Sequence, residues 1–234
     1  MNFTAFKSVA LASTLVAGAS AFAQNVESQS QDPYFEIGSV EVREIETDLT
    51  DLDESRAKPE ISGIVGEIRL ADVMLGRIIN MGRKVWAIVE AGRPVVDVQS
   101  QTANALPQGA DHWNKLQGWS LPQWKTYQAT YRNLYRAKVV EFVYRVGYTS
   151  GGNVEGKGRF LTNVSVVPTT VDVAWGYNVD VEASVPSVVN AGTSSDPIGQ
   201  MELLVKWTVK TVMKHSENSM GYAIRGDGQF IEMQ

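Results

Sequence analysis

The clearest pattern in the chain is a two-residue alternation of apolar and polar positions over residues 170–185. Apolar side chains, including Trp175 and Tyr177, occupy the odd positions, and polar or small side chains fill the even ones. Because successive side chains of a strand point to opposite sides, this period predicts one long strand with a buried face and a solvent face. Such a strand is unusually long, so we expect it to bend at Gly176 without a bulge, with its halves placed to serve two packed sheets.

The same alternation recurs through the C-terminal half of the chain. It predicts strands over residues 140–148, 159–166, 201–209 and 220–224, with turns at 150–153, 215–219 and 226–228. An earlier strand is expected over residues 34–45, where the apolar parity changes at Gly38 and Ser39 and indicates a bulge. Consecutive strands joined by short turns are typical of an antiparallel sheet.

One segment has a different period. Over residues 67–91, apolar side chains recur at steps of three and four, with charged residues between them, and Gly92 and Pro94 follow. This spacing predicts an amphipathic helix that ends at the glycine and packs on the sheet. The predicted fold is mainly β (α+β), an antiparallel sheet or β-sandwich of about 7–9 strands with that one helix.

The N-terminus has the features of an export signal. Lys7 precedes an apolar run over residues 9–19, and Ala21, Phe22 and Ala23 form a small-x-small cleavage pattern. We expect cleavage after Ala23, no transmembrane anchor in the mature chain, and a periplasmic or extracellular location. The absence of cysteine excludes disulfides and favours the bacterial envelope as the compartment.

Charge and length complete the predicted organisation. The 234 residues carry a formal net charge of −5, and the acidic residues concentrate over 36–60. Residues 24–60 are therefore expected to form a flexible, acidic segment that includes the early strand, followed by one β domain over 61–234. No basic cluster of the kind that binds nucleic acid is present.

An aromatic loop is the main candidate for a binding site. Residues 100–120 form a long connection that is either functional or contains local structure of its own. Within or just after it lie Trp113, Trp119 and Trp124, with His112 before them and Tyr127 after them. Rigid aromatic side chains on a loop are typical of glycan or protein binding, although they also serve to cap the open end of a sheet.

Candidate catalytic groups are few. Asp172, Asp180 and Glu182 are predicted to share the polar face of the long strand, and paired carboxylates are what glycoside hydrolysis requires. His112 and His215 are isolated, so we predict no catalytic residue, metal or cofactor. The sequence favours an exported, non-enzymatic binding or assembly protein, and it does not determine the oligomeric state. The alternatives are a small outer-membrane β-barrel and a secreted hydrolase that uses surface carboxylates.

Overall fold

The computed structural model describes residues 32–46, 68–95, 101–212 and 214–233. The predicted signal peptide (1–23), the polar residues 24–31 and the acidic stretch 47–60 lie outside the described residues. The described part is mainly β, with 12 strands in two antiparallel sheets. The strands are β1 (Ile37–Ile45), β2 (Met74–Asn80), β3 (Val85–Glu90), β4 (Arg93–Pro94), β5 (Ala103–Gln108), β6 (Gln123–Asn133), β7 (Lys138–Val154), β8 (Lys157–Val173), β9 (Tyr177–Asn190), β10 (Gly199–Thr211), β11 (His215–Arg225) and β12 (Phe230–Met233).

Each sheet contains six strands. The order in the first sheet is β1-β6-β7-β8-β5-β2, and the order in the second sheet is β12-β11-β10-β9-β3-β4. Three single-turn 3₁₀ helices, at Pro33–Phe35, Leu70–Asp72 and Trp113–Lys115, interrupt the connections. No helix in the described ranges has the length and apolar content needed to cross a bilayer.

The core lies between the two sheets, and the alternating patterns predicted it well. The even residues from Val140 to Val146 in β7 and the odd residues from Met201 to Val209 in β10 are almost fully buried. Residues of β9 from Tyr177 to Val185 follow the same rule. These side chains form one cluster with contributions from both sheets, so their apolar surface is removed from water on folding.

Two buried hydrogen bonds join the sheets through aromatic side chains. The indole N–H of Trp207 in β10 donates to the hydroxyl of Tyr131 in β6 at 2.8 Å. The hydroxyls of Tyr144 in β7 and Tyr222 in β11 are 2.7 Å apart. The Phe142 ring meets the Trp207 ring edge-on, with centroids 5.4 Å apart. The polar atoms of Tyr131, Trp207, Tyr144 and Tyr222 are therefore paired inside the core.

The predicted helix over residues 67–91 is wrong. Its described residues form the 3₁₀ turn and strands β2 and β3, which pair with β5 in the first sheet and β9 in the second. The connection between β2 and β3 passes close to the segment just before β5. A Cβ on Gly82 would overlap the Thr102 carbonyl of that segment. In two short strands, apolar residues can be spaced three and four positions apart by chance. β-branched residues such as Ile78 and Ile79 are also well suited to strands.

The long strand is broken into two at the predicted bend. β8 ends at Val173 in the first sheet, β9 begins at Tyr177 in the second, and the Tyr177 amide donates to the Ala174 carbonyl at 3.1 Å. Gly176 has a φ of +80°, which favours glycine. The prediction of two sheets is confirmed, but Trp175 is 81% exposed whereas Tyr177 is 8% exposed, so alternation does not extend across the turn.

Several local predictions also change. The bulge in β1 is confirmed by a register shift between Ile37 and Ser39, and the corner at 226–228 is present. The turn predicted at 150–153 lies within β7, and the chain turns instead at Glu155 and Gly156. β11 already begins at His215, where a turn was expected. The long connection over 100–120 contains β5, so the described chain has more strands than predicted.

We predict that Tyr131→Phe destabilises the protein. The substitution leaves the Trp207 indole N–H buried without its acceptor, and it also removes the partner of the Asn218 side-chain amide at 2.7 Å. The free energy of unfolding should fall by about 1–3 kcal/mol. Urea denaturation checks this, with Tyr135→Phe as an exposed control that should stay within about 0.5 kcal/mol of the wild type. Equal stability of the two variants contradicts the prediction.

We also predict that the protein loses stability in alkali. Burial raises the pKa of six tyrosines, for Tyr177 to about 12; the six are Tyr127, Tyr131, Tyr144, Tyr148, Tyr177 and Tyr222. Above about pH 10 these groups ionise in the unfolded chain but stay protonated in the folded one, so the folded state binds more protons. The contribution of these tyrosines should therefore be constant below about pH 9, and the free energy of unfolding should fall between about pH 10 and 12.

The slope of that decline is the measurable quantity. Each tyrosine that has ionised only in the unfolded state contributes about 1.4 kcal/mol per pH unit. Urea titrations at a series of alkaline pH values give the slope, and tyrosinate absorbance follows ionisation of the folded protein. A free energy of unfolding that does not change up to pH 12 contradicts the prediction.

Candidate functional site

The aromatic loop covers a second, smaller core on the outer face of the first sheet. In β5 and β8, neighbouring residues divide between two clusters: Ala105 and Leu161 face the main core, whereas Leu106 and Phe160 face outward. Leu116 of the loop is buried against this outward cluster, and Trp113 and Trp119 pack on it partly buried. The loop is therefore fixed to the sheet by its own apolar residues.

Two indoles lie directly against glycines of β7. A Cβ on Gly152 would overlap the six-membered ring of Trp119, and a Cβ on Gly147 would overlap that of Trp124. Neither glycine has a left-handed φ, so the requirement at both positions is space for the ring. Both indoles remain partly exposed, and five residues of strand separate their seats by roughly 15 Å.

The turn of the loop holds the remaining aromatic groups. The ring nitrogen Nδ1 of His112 accepts from the Asn114 amide at 3.3 Å and begins the 3₁₀ helix, while its ring lies 5.5 Å from that of Trp113. Trp113 meets Trp119 edge-on at 6.5 Å, and the Trp119 indole N–H donates to the Trp113 carbonyl at 3.3 Å. These contacts connect the aromatic side chains of the loop to one another.

The structure brings three of the five predicted ligand-binding residues into contact: His112, Trp113 and Trp119 on the loop. Trp124 lies at the start of β6, seated on Gly147 and separate from these three. Tyr127 does not join them, because it faces the main core, is 1% exposed and donates to Glu232 at 2.8 Å. Burial, followed by that hydrogen bond, raises its pKa far above the usual range.

Gly147 and Gly152 are the site residues that sequence reasoning missed. The glycines at 151 and 152 resemble a turn signal, and the structure instead uses Gly152 as the seat of an indole. A glycine inside a strand often marks the close approach of another group, and that signal is visible at Gly147 within the alternating pattern.

The predicted grouping of three carboxylates is wrong. Asp172 lies on β8 in the first sheet, opposite Glu141, whereas Asp180 and Glu182 lie on β9 in the second sheet. The turn at Gly176 separates them. Asp180 accepts from the Lys210 ammonium at 2.8 Å and from the Ala91 amide at 2.9 Å, and these bonds lower its pKa.

An open depression of about 590 Å³ lies on the outer face of the second sheet beside these residues. Its lining includes Asp180, Glu182, Lys206, Thr208 and Glu217. Lys206 stands opposite Glu182 in the sheet register, so acidic and basic groups alternate across the strands. The described residues contain no group of three or more His, Cys, Asp or Glu arranged to hold a metal ion.

Two further titratable residues, Asp111 and His215, take no part in this aromatic group. The Asp111 carboxylate pairs with Lys115 at 2.6 Å, and that hydrogen bond lowers its pKa. His215 lies at the start of β11 and is exposed.

Comparison of the chain with protein-family models, with curated proteins and with solved structures found no match. The geometry of the described residues is therefore the guide to function.

We predict that Gly147→Ala destabilises the protein through Trp124. The added methyl group would overlap the indole, so the ring must move or the strand must shift, at a cost of about 1–3 kcal/mol. Thermal unfolding measures the loss. In a Trp124→Ala background the obstacle is absent, so the same glycine substitution should cost less; equal costs in both backgrounds contradict the proposed seat.

Proposed function

We propose that this chain is an exported, non-enzymatic binding module that holds a glycan on the indoles of Trp119 and Trp124. The observation that carries the proposal is the seating of both rings on glycines of one strand. A ring fixed on one side by the backbone loses little conformational entropy when a ligand covers its other side. This arrangement supports binding by preformed aromatic surfaces.

The spacing of the rings favours an extended ligand. The two seats are separated by roughly 15 Å along β7, which is more than one sugar ring covers. The apolar faces of sugar rings pack on aromatic rings, and their hydroxyls require polar neighbours. Exposed polar groups between or beside the indoles include Ser120 and Gln123, and His112 is exposed at the turn of the loop. A glycan that contacts both indoles satisfies these features.

The charges of the second sheet support binding without hydrolysis. A catalytic acid needs a raised pKa, which burial or a neighbouring like charge supplies. The bonds of Asp180 to Lys210 and to the Ala91 amide lower its pKa instead. Export is supported by the sequence around Lys7 and Ala23, and by an apolar core that needs no disulfide.

The test is a glycan array that includes peptidoglycan fragments, followed by calorimetry with the tightest ligand. Trp119→Ala and Trp124→Ala should each weaken binding about tenfold, because each removes one aromatic contact. Trp124→Phe retains a ring and should restore most of the affinity.

Trp175→Ala is the matched control. Trp175 is more exposed than either indole and adjoins the opposite end of β7, so its removal should leave glycan affinity unchanged. Binding that survives loss of both Trp119 and Trp124, or a chain that binds no glycan on the array, overturns the proposal. Thermal unfolding of each variant establishes that the fold is retained.

A further inference from the structure

The end of the molecule opposite the aromatic loop is formed by three loops between consecutive strands, and these loops meet on one short segment, residues 34–36. The Leu134 amide of the β6–β7 loop donates to the Glu36 carbonyl at 3.2 Å. The Tyr34 hydroxyl donates to the Trp175 carbonyl of the β8–β9 loop at 2.9 Å. From the β10–β11 loop, the Lys214 ammonium pairs with the Glu36 carboxylate at 3.2 Å. These contacts place the three loop tips beside one another.

Large apolar side chains are exposed at all three tips. Trp175 is 81% exposed, Val212 75%, Tyr135 64% and Leu134 53%. We call these four residues the loop pole. Burial of such side chains would be favourable, so a group of them held in water marks an interaction surface.

The Trp175 ring packs on an aromatic cluster formed by Phe35, Tyr34 and Tyr177. The Phe35 ring lies 6.2 Å from it, Phe35 packs in turn on Tyr34 and Tyr177, and the Tyr177 hydroxyl donates to the Tyr34 carbonyl. Gly176 admits Phe35, because a Cβ there would approach the Phe35 ring. The exposed indole therefore stands on a packed aromatic base.

Two arginines lie next to this apolar surface. A depression of about 530 Å³ between β1 and the β6–β7 loop is lined by Arg132, Arg136 and Leu134, among others. Arg132 donates to the Arg136 carbonyl at 3.3 Å, and among the described residues neither guanidinium forms an ion pair. Two unpaired guanidiniums in one depression favour an anion with several oxygens.

The other charges at this end are only partly paired. Lys138 pairs with Glu141 at 3.1 Å, and Lys214 pairs with Glu36 at 3.2 Å. The Asp32 carboxylate accepts from the Tyr34 amide at 2.9 Å, and the exposed Asp172 forms no ion pair among the described residues. Arg132 and Arg136 therefore remain, among the described residues, as cations without an ion pair beside the loop pole.

We propose that the loop pole docks on the surface of an anionic phospholipid bilayer. Trp175, Tyr135 and Leu134 enter the interfacial layer, and Arg132 and Arg136 bind lipid phosphate. Tryptophan and tyrosine favour that layer, and apolar burial combined with attraction to anionic lipids determines the affinity of such contacts. The side chains stand on three separate tips, which suits a flat surface better than a single peptide.

Vesicle co-sedimentation tests the proposal. The full mature chain is mixed with vesicles of phosphatidylcholine and phosphatidylglycerol, or of phosphatidylcholine alone, at low and high salt. We expect binding to the anionic vesicles that weakens with salt. Trp175→Ser should weaken it about tenfold, and Arg132→Gln with Arg136→Gln about 30-fold at low salt. Leu121→Ser is the matched control, since Leu121 is 85% exposed but belongs to the aromatic loop at the other end.

The outcomes separate clearly. Salt-sensitive binding that the Trp175 and arginine variants lose and the Leu121 variant keeps supports the proposal. An absence of vesicle binding, as a protein partner at this surface would give, overturns it, and so does equal binding to neutral vesicles. Equal effects of Trp175→Ser and Leu121→Ser also overturn it. Glycan binding depends on Trp119 and Trp124, so either proposal can fail while the other stands.

Discussion

The fold depends on the contact between two sheets whose facing side chains include several large aromatics among many valines and alanines. Rings of this size bury much apolar surface, but tyrosine and tryptophan also carry polar atoms into the core. The Tyr131–Trp207 and Tyr144–Tyr222 hydrogen bonds satisfy those atoms across the interface. Each bond needs one particular position on each sheet, so the pairs also determine how the sheets are placed relative to one another.

This placement leaves the outer face of the first sheet and the two ends of the molecule available for other roles. On the outer face, Gly147 and Gly152 hold indoles flat against β7, and the loop that carries Trp119 covers its own small core. At the opposite end, residues 34–36 gather three loop tips whose apolar side chains stay in water. The two surfaces differ in chemistry, because the second lies beside two arginines that form no ion pair among the described residues.

The patterns in the sequence were reliable where one period continues through a whole strand. In β7, β10 and most of β9, the predicted face is the buried one. The helix over 67–91 failed because two short strands in different sheets can imitate a helical spacing, and no local signal shows which distant strand they will pair with. Likewise, the apolar residues keep to odd positions on both sides of Gly176, so the alternation gave no sign of the turn there. It therefore predicted a buried Trp175, which the structure shows to be exposed.

By itself the sequence determined that the protein is mainly β and antiparallel. It also determined which face of the central strands is buried and that the chain contains an aromatic loop. Side-chain alternation is a local property, so it can be recognised along the chain. Tertiary structure alone decided which strands pair in each sheet, the separation of Asp172 from Asp180, the glycine seats of Trp119 and Trp124, and the placement of Trp175, Arg132 and Arg136 at one end. These depend on contacts between residues far apart in sequence, which no local period encodes.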